Sequence, residues 1–141
     1  MKSLVIDRER CTGCESCVLT CSFAHEDLFA LDLARIQIER DEAEGRFEQK
    51  VCVQCEGRFC VSSCPVGALS VDPELGSIRL DQTLCTSCRA CERACPYSGV
   101  HFVDEHPYPL ICDLCGGQPA CVETCKMPGA IRYEETGDEH D

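Results

Sequence analysis

Apolar and polar residues alternate in short stretches along this chain, and each stretch predicts a β-strand of only a few residues. Residues 69–72 and 77–81 form one such pair around a Pro-Glu-Leu-Gly turn, and residues 34–40 and 46–51 form another pair around a second glycine-containing turn. The uninterrupted apolar runs are also short, so we expect no membrane insertion. Elements of this length bury little apolar surface, and the chain therefore needs another source of order.

Cysteine is the residue type that supplies this order. The 141 residues include 16 cysteines and carry a formal net charge of -12, whereas Leu, Ile, Val and Phe are scarce for a folded chain of that charge. The N-terminus lacks the apolar run of a secretory signal, so we expect a cytoplasmic protein whose reduced thiols bind metal rather than form disulfides. There is no basic stripe, which argues against nucleic acid as a partner.

The cysteines fall into four quartets that leave none over. Each quartet opens with C-x2-C and closes with C-x3-C, and this spacing is typical of bacterial ferredoxins, in which it binds [4Fe–4S] clusters. In chain order the quartets are Cys11, Cys14, Cys17 and Cys21; Cys52, Cys55, Cys60 and Cys64; Cys85, Cys88, Cys91 and Cys95; and Cys112, Cys115, Cys121 and Cys125.

The fourth cysteine of each quartet is expected to bind a different cluster from the first three. A tight loop brings three thiolates to three corners of a cubane, and in two-cluster ferredoxins the fourth cysteine binds the other cluster. We therefore predict that the two inner quartets exchange their fourth cysteines and that the two outer quartets do the same. The alternative, in which every quartet binds its own cluster, stays open. The exchange defines set 1 as Cys11, Cys14, Cys17 and Cys125; set 2 as Cys112, Cys115, Cys121 and Cys21; set 3 as Cys52, Cys55, Cys60 and Cys95; and set 4 as Cys85, Cys88, Cys91 and Cys64.

These patterns together predict an α+β fold. Two tandem bacterial-ferredoxin-like units would be related by a pseudo-twofold axis, with short β-hairpins and short helices around four clusters. A single domain would span residues 1–141, with an inner unit at about 52–104 and an outer unit from about 1–51 plus 105–141. Strands near both termini would close the outer unit.

Other chemistries for the quartets are a disulfide scaffold, a zinc-stapled interaction module, and a mixture in which one or two quartets hold a three-iron cluster. Zinc sites usually place two C-x2-C pairs a dozen or more residues apart, whereas here the third cysteine follows much sooner. No catalytic constellation accompanies the quartets. His25 follows the first quartet, where it either tunes a cluster or lies at a subunit interface; a surface or helix-capping histidine is the more common case.

The second quartet, CVQC with CVSSCPVGA, resembles the second motif of polyferredoxin iron–sulfur subunits of molybdenum and tungsten oxidoreductases, membrane-linked hydrogenases and carbon monoxide dehydrogenases. The opening CTGCESCVLTCSFAH and the fourth motif CDLCGGQPAC are similar to those of the small subunits that accompany tungsten aldehyde oxidoreductases. Related subunits accompany tungsten benzoyl-coenzyme A reductases. The chain departs from the usual pattern at Ser22 and Lys126, where a proline would follow the last cysteine.

The resemblance implies a non-catalytic electron-transfer subunit. It would take electrons from a tungsten–pterin catalytic subunit that oxidises aldehydes, and pass them to a flavin subunit that binds NAD or to a ferredoxin. The same role in a hydrogenase, a carbon monoxide dehydrogenase or a benzoyl-coenzyme A reductase is an alternative, and so is a free polyferredoxin carrier. A cluster at each end would need a partner at each end, which allows end-to-end self-association.

Overall fold

The computed structural model describes residues 2–55, 57–104 and 106–135. All its helices and strands are short, as the sequence pattern predicts. The helices are α1 (Ser16–Glu26), α2 (Phe59–Ser63), α3 (Ala90–Ala94) and α4 (Ala120–Thr124). The strands are β1 (Lys2–Ile6), β2 (Gln37–Asp41), β3 (Arg46–Lys50), β4 (Leu69–Val71), β5 (Ile78–Leu80), β6 (Val100–His101), β7 (Leu110–Ile111) and β8 (Ile131–Glu135). Within the described ranges, no helix has the length and apolar character needed to cross a membrane.

The strands pair into two-stranded antiparallel sheets. Both predicted hairpins are confirmed: β2 pairs with β3, and β4 pairs with β5 so that Leu69 lies opposite Leu80. The pair β6–β7 joins the segments that follow the third quartet and precede the fourth. The pair β1–β8 joins the two ends of the described chain, with Ile6 opposite Ile131. This last pair forms the closure by terminal strands that the sequence predicts.

The buried apolar residues form two small clusters, and cysteines belong to both. One cluster draws its buried members from residues 4–51 and 114–131, and includes the fully buried Val18 and Leu114. The other draws its members from residues 60–111. Because each cluster contains few aliphatic side chains, the groups that bind the cysteines must contribute much of the order.

Each helix carries the C-x3-C step of one quartet, but proline does not account for where all of them end. Helices α2 and α3 stop before a cysteine that proline follows. Helix α4 stops at the same position although Lys126 follows Cys125, and a turn in which Ala130 N–H donates to the Met127 carbonyl redirects the chain there. Helix α1 runs five residues past Cys21 to Glu26, and Asp27 caps it in a left-handed conformation.

Candidate metal centres

The same backbone conformation recurs in the opening loop of all four quartets. The residue two positions after the first cysteine has a positive φ in each: Gly13 (71°), Gln54 (54°), Ser87 (58°) and Leu114 (60°). Three of these residues donate their N–H to the sulfur of that cysteine, at 3.4 Å to Cys11, Cys52 and Cys112. Non-glycine residues adopt this conformation at a cost of about 1–2 kcal/mol, and successive N–H groups in such turns form concave sites for anions, including iron–sulfur clusters.

The fourth cysteines also accept backbone N–H groups, from residues beyond their own helices. The donor is Ala68 for Cys64 at 3.3 Å, Gly99 for Cys95 at 3.4 Å, and Arg35 for Cys21 at 3.3 Å. For Cys64, partial burial opposes ionisation, but the N–H groups of the following turn outweigh it and hold the pKa of the thiol below its usual value. The backbone around this sulfur is therefore arranged for a thiolate.

Three cavities collect the cysteines. Each contains the first three cysteines of one quartet and the fourth cysteine of another, as the exchange model expects. The first cavity is lined by Cys64, Cys85, Cys88 and Cys91. The second is lined by Cys52, Cys55, Cys60 and Cys95. The third is lined by Cys21, Cys112, Cys115 and Cys121.

The members of set 1 are neighbours as well. Burial raises the pKa of the Cys17 thiol to about 12, and the adjacent sulfurs of Cys11, Cys125 and Cys14 add to this shift. The packing of α1 against α4 brings Cys125 to this loop, and the hydroxyl groups of Thr20 and Thr124 lie 3.3 Å apart between the two helices. The structure thus places the four members of each predicted set together.

Crowding and burial make these thiols poor acids on their own. Burial, with smaller contributions from neighbouring sulfurs, raises the pKa to about 12 for Cys52 and Cys121 and to about 11 for Cys91. Such thiols ionise when a cation compensates the clustered negative charge, and metal binding drives that deprotonation. Four sulfurs around a cavity with inward backbone N–H groups therefore fit a thiolate-bound iron–sulfur cluster.

His25 lies against the cysteines of set 2, with only 12% of its side chain exposed. Its Nδ1 is 3.0 Å from the Cys21 carbonyl oxygen, and its Nε2 is 3.0 Å from an Asp113 carboxylate oxygen and 3.9 Å from the sulfur of Cys115. Burial opposes protonation, but the hydrogen bonds with Asp113, Cys115 and Cys21 outweigh it and raise the pKa of His25 to about 12. The expectation of a surface or helix-capping histidine is wrong. The side chain is mostly buried, and the Cys21 carbonyl that it contacts lies within α1 rather than among the last four carbonyls of that helix. Sequence reasoning missed Asp113, since no local pattern indicates this contact.

The four sets are neighbours in the order 1, 2, 3, 4, and we call this order the line. Cysteines of sets 1 and 2 belong to one buried cluster, and cysteines of sets 3 and 4 belong to the other. Gln54, in the loop of the second quartet, donates from Nε2 to the Cys112 carbonyl oxygen at 2.9 Å and so joins set 3 to set 2. Of the 16 thiols, all of which the structure describes, only Cys14 and Cys88 are exposed. These two belong to the first and the last set of the line.

Comparisons with known proteins identify the cofactor. A family model described as a 4Fe-4S dicluster domain matches residues 32–99, and one described as a 4Fe-4S binding domain matches residues 8–24. With 16 cysteines in quartets, these matches show that the chain binds multiple [4Fe–4S] clusters.

Relatives with described roles belong to several oxidoreductases. The chain is 37% identical over 126 residues to the polyferredoxin-like subunit of an aliphatic sulfonate oxidoreductase from Pyrococcus furiosus. The matched region covers 89% of this chain and 72% of that subunit. It is 35% identical over 148 residues to the β subunit of the NADH-dependent phenylglyoxylate dehydrogenase of Aromatoleum evansii, covering 99% of this chain but only 33% of that subunit. A solved structure of the active-site complex BamBC of benzoyl-coenzyme A reductase matches with a TM-score of 0.58 and 25% identity, over 100% of this chain and 82% of that one.

Proposed function

This chain belongs to the family of ferredoxin-like iron–sulfur electron-transfer subunits of oxidoreductase complexes, and we propose that it relays electrons through four [4Fe–4S] clusters from one end of the molecule to the other. The observation that carries the proposal is the order of the four neighbouring cysteine sets, with Cys14 and Cys88 exposed in the first and the last set. Each bound cluster supplies a one-electron redox centre.

The protein's own contribution is to hold these centres close together and to expose only the two ends. Backbone N–H groups aimed at the sulfurs stabilise the negative charge of the cluster ligands. The second cysteine of each quartet distinguishes the middle from the ends, because Cys55 and Cys115 are partly buried whereas Cys14 and Cys88 are exposed. The exposed ends are the sites at which we place electron entry and exit.

The ligand sets are part of this proposal, and double variants test them. If Cys95 serves set 3, then Cys52→Ser and Cys95→Ser damage the same cluster, and the double variant loses no more iron than one cluster, about four atoms. The pair Cys85→Ser and Cys95→Ser then damages two clusters and loses about eight atoms. If each quartet binds its own cluster instead, the two double variants exchange these results. Iron and acid-labile sulfide are measured on protein prepared anaerobically.

For the partner, we propose a tungsten–pterin subunit that oxidises aldehydes, with a flavin subunit that binds NAD or a ferredoxin as the acceptor. The first and fourth cysteine motifs support this choice, because both are similar to those of the small subunits of tungsten aldehyde oxidoreductases. The match to the BamBC complex favours benzoyl-coenzyme A reductase as the second candidate.

Metal analysis of the complex isolated anaerobically from its native host tests the partner. About sixteen irons per chain, together with tungsten in a co-purifying subunit, are expected from four clusters and this partner. Addition of an aldehyde should then bleach the visible absorbance of the clusters, whereas benzoyl-coenzyme A should not. Nickel or molybdenum in place of tungsten would overturn the partner and leave the relay intact. Zinc without iron would overturn both.

A further inference from the structure

Two arginine side chains carry a buried nitrogen without a partner. Nη1 of Arg35 and Nη1 of Arg58 are buried and form no hydrogen bond within the part of the chain that the structure describes. Arg35 lines the cavity of set 2, and Arg58 lines the cavity of set 3. An unpaired buried N–H of a charged group is costly, so an acceptor in these cavities is expected to face it.

Arg58 reaches its cavity because of the unusual spacing of the second quartet. Four residues separate Cys55 from Cys60, whereas two separate the corresponding cysteines of the first and third quartets. Arg58 lies in this longer gap and caps α2 in a left-handed conformation with φ 46°. The additional residues thus provide a position from which a guanidinium lines the cavity.

Arg35 contacts set 2 through both its backbone and its side chain. Its N–H donates to the sulfur of Cys21 at 3.3 Å. Its neighbours Ala34 and Ile36 are buried, at 0% and 2% exposure, and hold the backbone in place. Arg35 also lines a second cavity together with Asp113, so this carboxylate lies near it without forming an ion pair among the described residues. Arg35 is therefore fixed beside the cavity of set 2.

Arginines also lie beside the two terminal sets, but their guanidinium groups have partners there. Arg89 lines the cavity of set 4, but its guanidinium pairs with Glu92 at 3.7 Å and Asp104 at 3.5 Å. Near set 1, Arg40 pairs with Glu15 at 2.5 Å. Arg93, also beside set 4, has no acidic partner within the described ranges, but its Nη1 donates to the Cys88 carbonyl at 3.3 Å. The arginines of the middle sets differ in that each has a buried Nη1 without a hydrogen-bond partner among the described residues.

We propose that Arg35 and Arg58 raise the reduction potentials of the clusters held in sets 2 and 3. Reduction adds a negative charge to a cluster, and a fixed positive charge nearby in a medium of low dielectric constant stabilises that charge. This inference rests on the proposed function, since it assumes that four clusters are bound.

The test is a redox titration of the anaerobic complex followed by electron paramagnetic resonance. Arg58→Gln and Arg35→Gln should each make the reduction of one cluster at least tenfold less favourable, which is 59 mV for a one-electron couple. The affected signal should be the one that Cys95→Ser removes for Arg58, and the one that Cys21→Ser removes for Arg35. The control is Arg46→Gln, which removes the same charge from a side chain that is 79% exposed on the β2–β3 hairpin, and it should leave every potential unchanged.

An unchanged midpoint in either glutamine variant with full iron content would overturn the proposal for that residue. Arg58→Lys and Arg35→Lys keep the charge and should retain the wild-type potential within about threefold in the reduction equilibrium constant, a small part of the tenfold effect. If a glutamine variant loses iron, the lysine variant decides, because a tenfold change despite the retained charge would also overturn the proposal. Fewer than four clusters in the wild type would instead contradict the proposed function, and the iron content shows this separately.

Discussion

Gly99 is the position at which the smallest change should disturb one selected cysteine set. Its N–H donates to the sulfur of Cys95, and its Cα lies against the loop of the second quartet. A methyl group added here would lie 2.6 Å from the Cα of Cys52 and 2.8 Å from its backbone nitrogen. Since both atoms belong to the backbone, no side-chain rotation can relieve the clash.

The size of the effect follows from these distances. The Cys52 backbone must retreat by about 0.8 Å to reach the 3.4 Å at which ordinary contact begins. Overpacking of this kind costs about 1–3 kcal/mol, which corresponds to roughly a 5- to 150-fold change in an equilibrium. The displacement separates Cys52 from Cys95, so Gly99→Ala should weaken the cluster of set 3 first.

The assay compares Gly99→Ala with a matched variant at the equivalent position of the second quartet. Ala68 donates its N–H to Cys64 as Gly99 does to Cys95, and its methyl group is accommodated with 3% exposure. We expect Gly99→Ala to lose iron and visible absorbance faster than wild type under anaerobic mild denaturant, and Ala68→Gly to keep its cluster of set 4. Unchanged iron content and loss rate in Gly99→Ala, or a loss confined to set 4, would refute the reasoning.

Three further changes probe the surroundings of the clusters. Arg40→Ala removes hydrogen bonds to the Gly13 carbonyl and the Glu15 carboxylate, so the loop with the exposed Cys14 should lose its cluster faster in air. The control Arg132→Ala on β8 should lose it at the wild-type rate, and equal rates of cluster loss in the two variants would contradict this prediction. Burial lowers the pKa of His101 below 6.5, although its hydrogen bond with the Lys50 carbonyl opposes the shift. The stability that His101 contributes should therefore be fully present above about pH 6.5 and fall as the pH decreases below it, because the unfolded chain takes up the proton first. His101→Gln should show a flatter dependence on pH in anaerobic denaturant titrations, and an identical slope would count against this explanation. The Asp72 carboxylate accepts hydrogen bonds from the N–H groups of Leu75 and Glu74, and these bonds lower its pKa. Asp72→Ala should therefore speed amide hydrogen exchange in the β4–β5 turn at neutral pH. Unaltered exchange would show that the carboxylate does not stabilise the turn.

The sequence predicts those features of the fold that depend on local spacing. Both hairpins follow from alternation around a glycine-containing turn, and β4 and β5 form within one residue of the predicted limits. The four quartets follow from spacing alone, because three thiolates on one tight loop have few other uses. These features need only neighbouring residues to specify them.

Local sequence patterns do not predict contacts between distant segments or positions of strained backbone. In the first quartet, a glycine at position 13 indicates the left-handed conformation. The equivalent residues of the other quartets adopt the same conformation although their residue types do not favour it: Gln54, Ser87 and Leu114. The approach of His25 to Asp113 and the N–H bond from Arg35 to Cys21 depend on how remote loops pack. A residue type alone does not encode such distances, since they arise from the tertiary fold.

The buried residues and the cysteines near the two ends of the described chain together explain how the terminal segments are held against each other. Set 1 brings Cys125 to the loop of Cys11, and the β1–β8 pair lies close by in sequence at both ends. Aliphatic packing at this junction is limited to a few residues such as Leu4 and Ile131. Closing a loop of this length has an entropic cost that grows only slowly with length, so one bound cluster that joins both ends can offset it. On the proposed ligand sets, the cluster of set 1 also cross-links the two terminal segments, and removal of iron is then expected to separate β1 from β8 before it disrupts the β4–β5 hairpin.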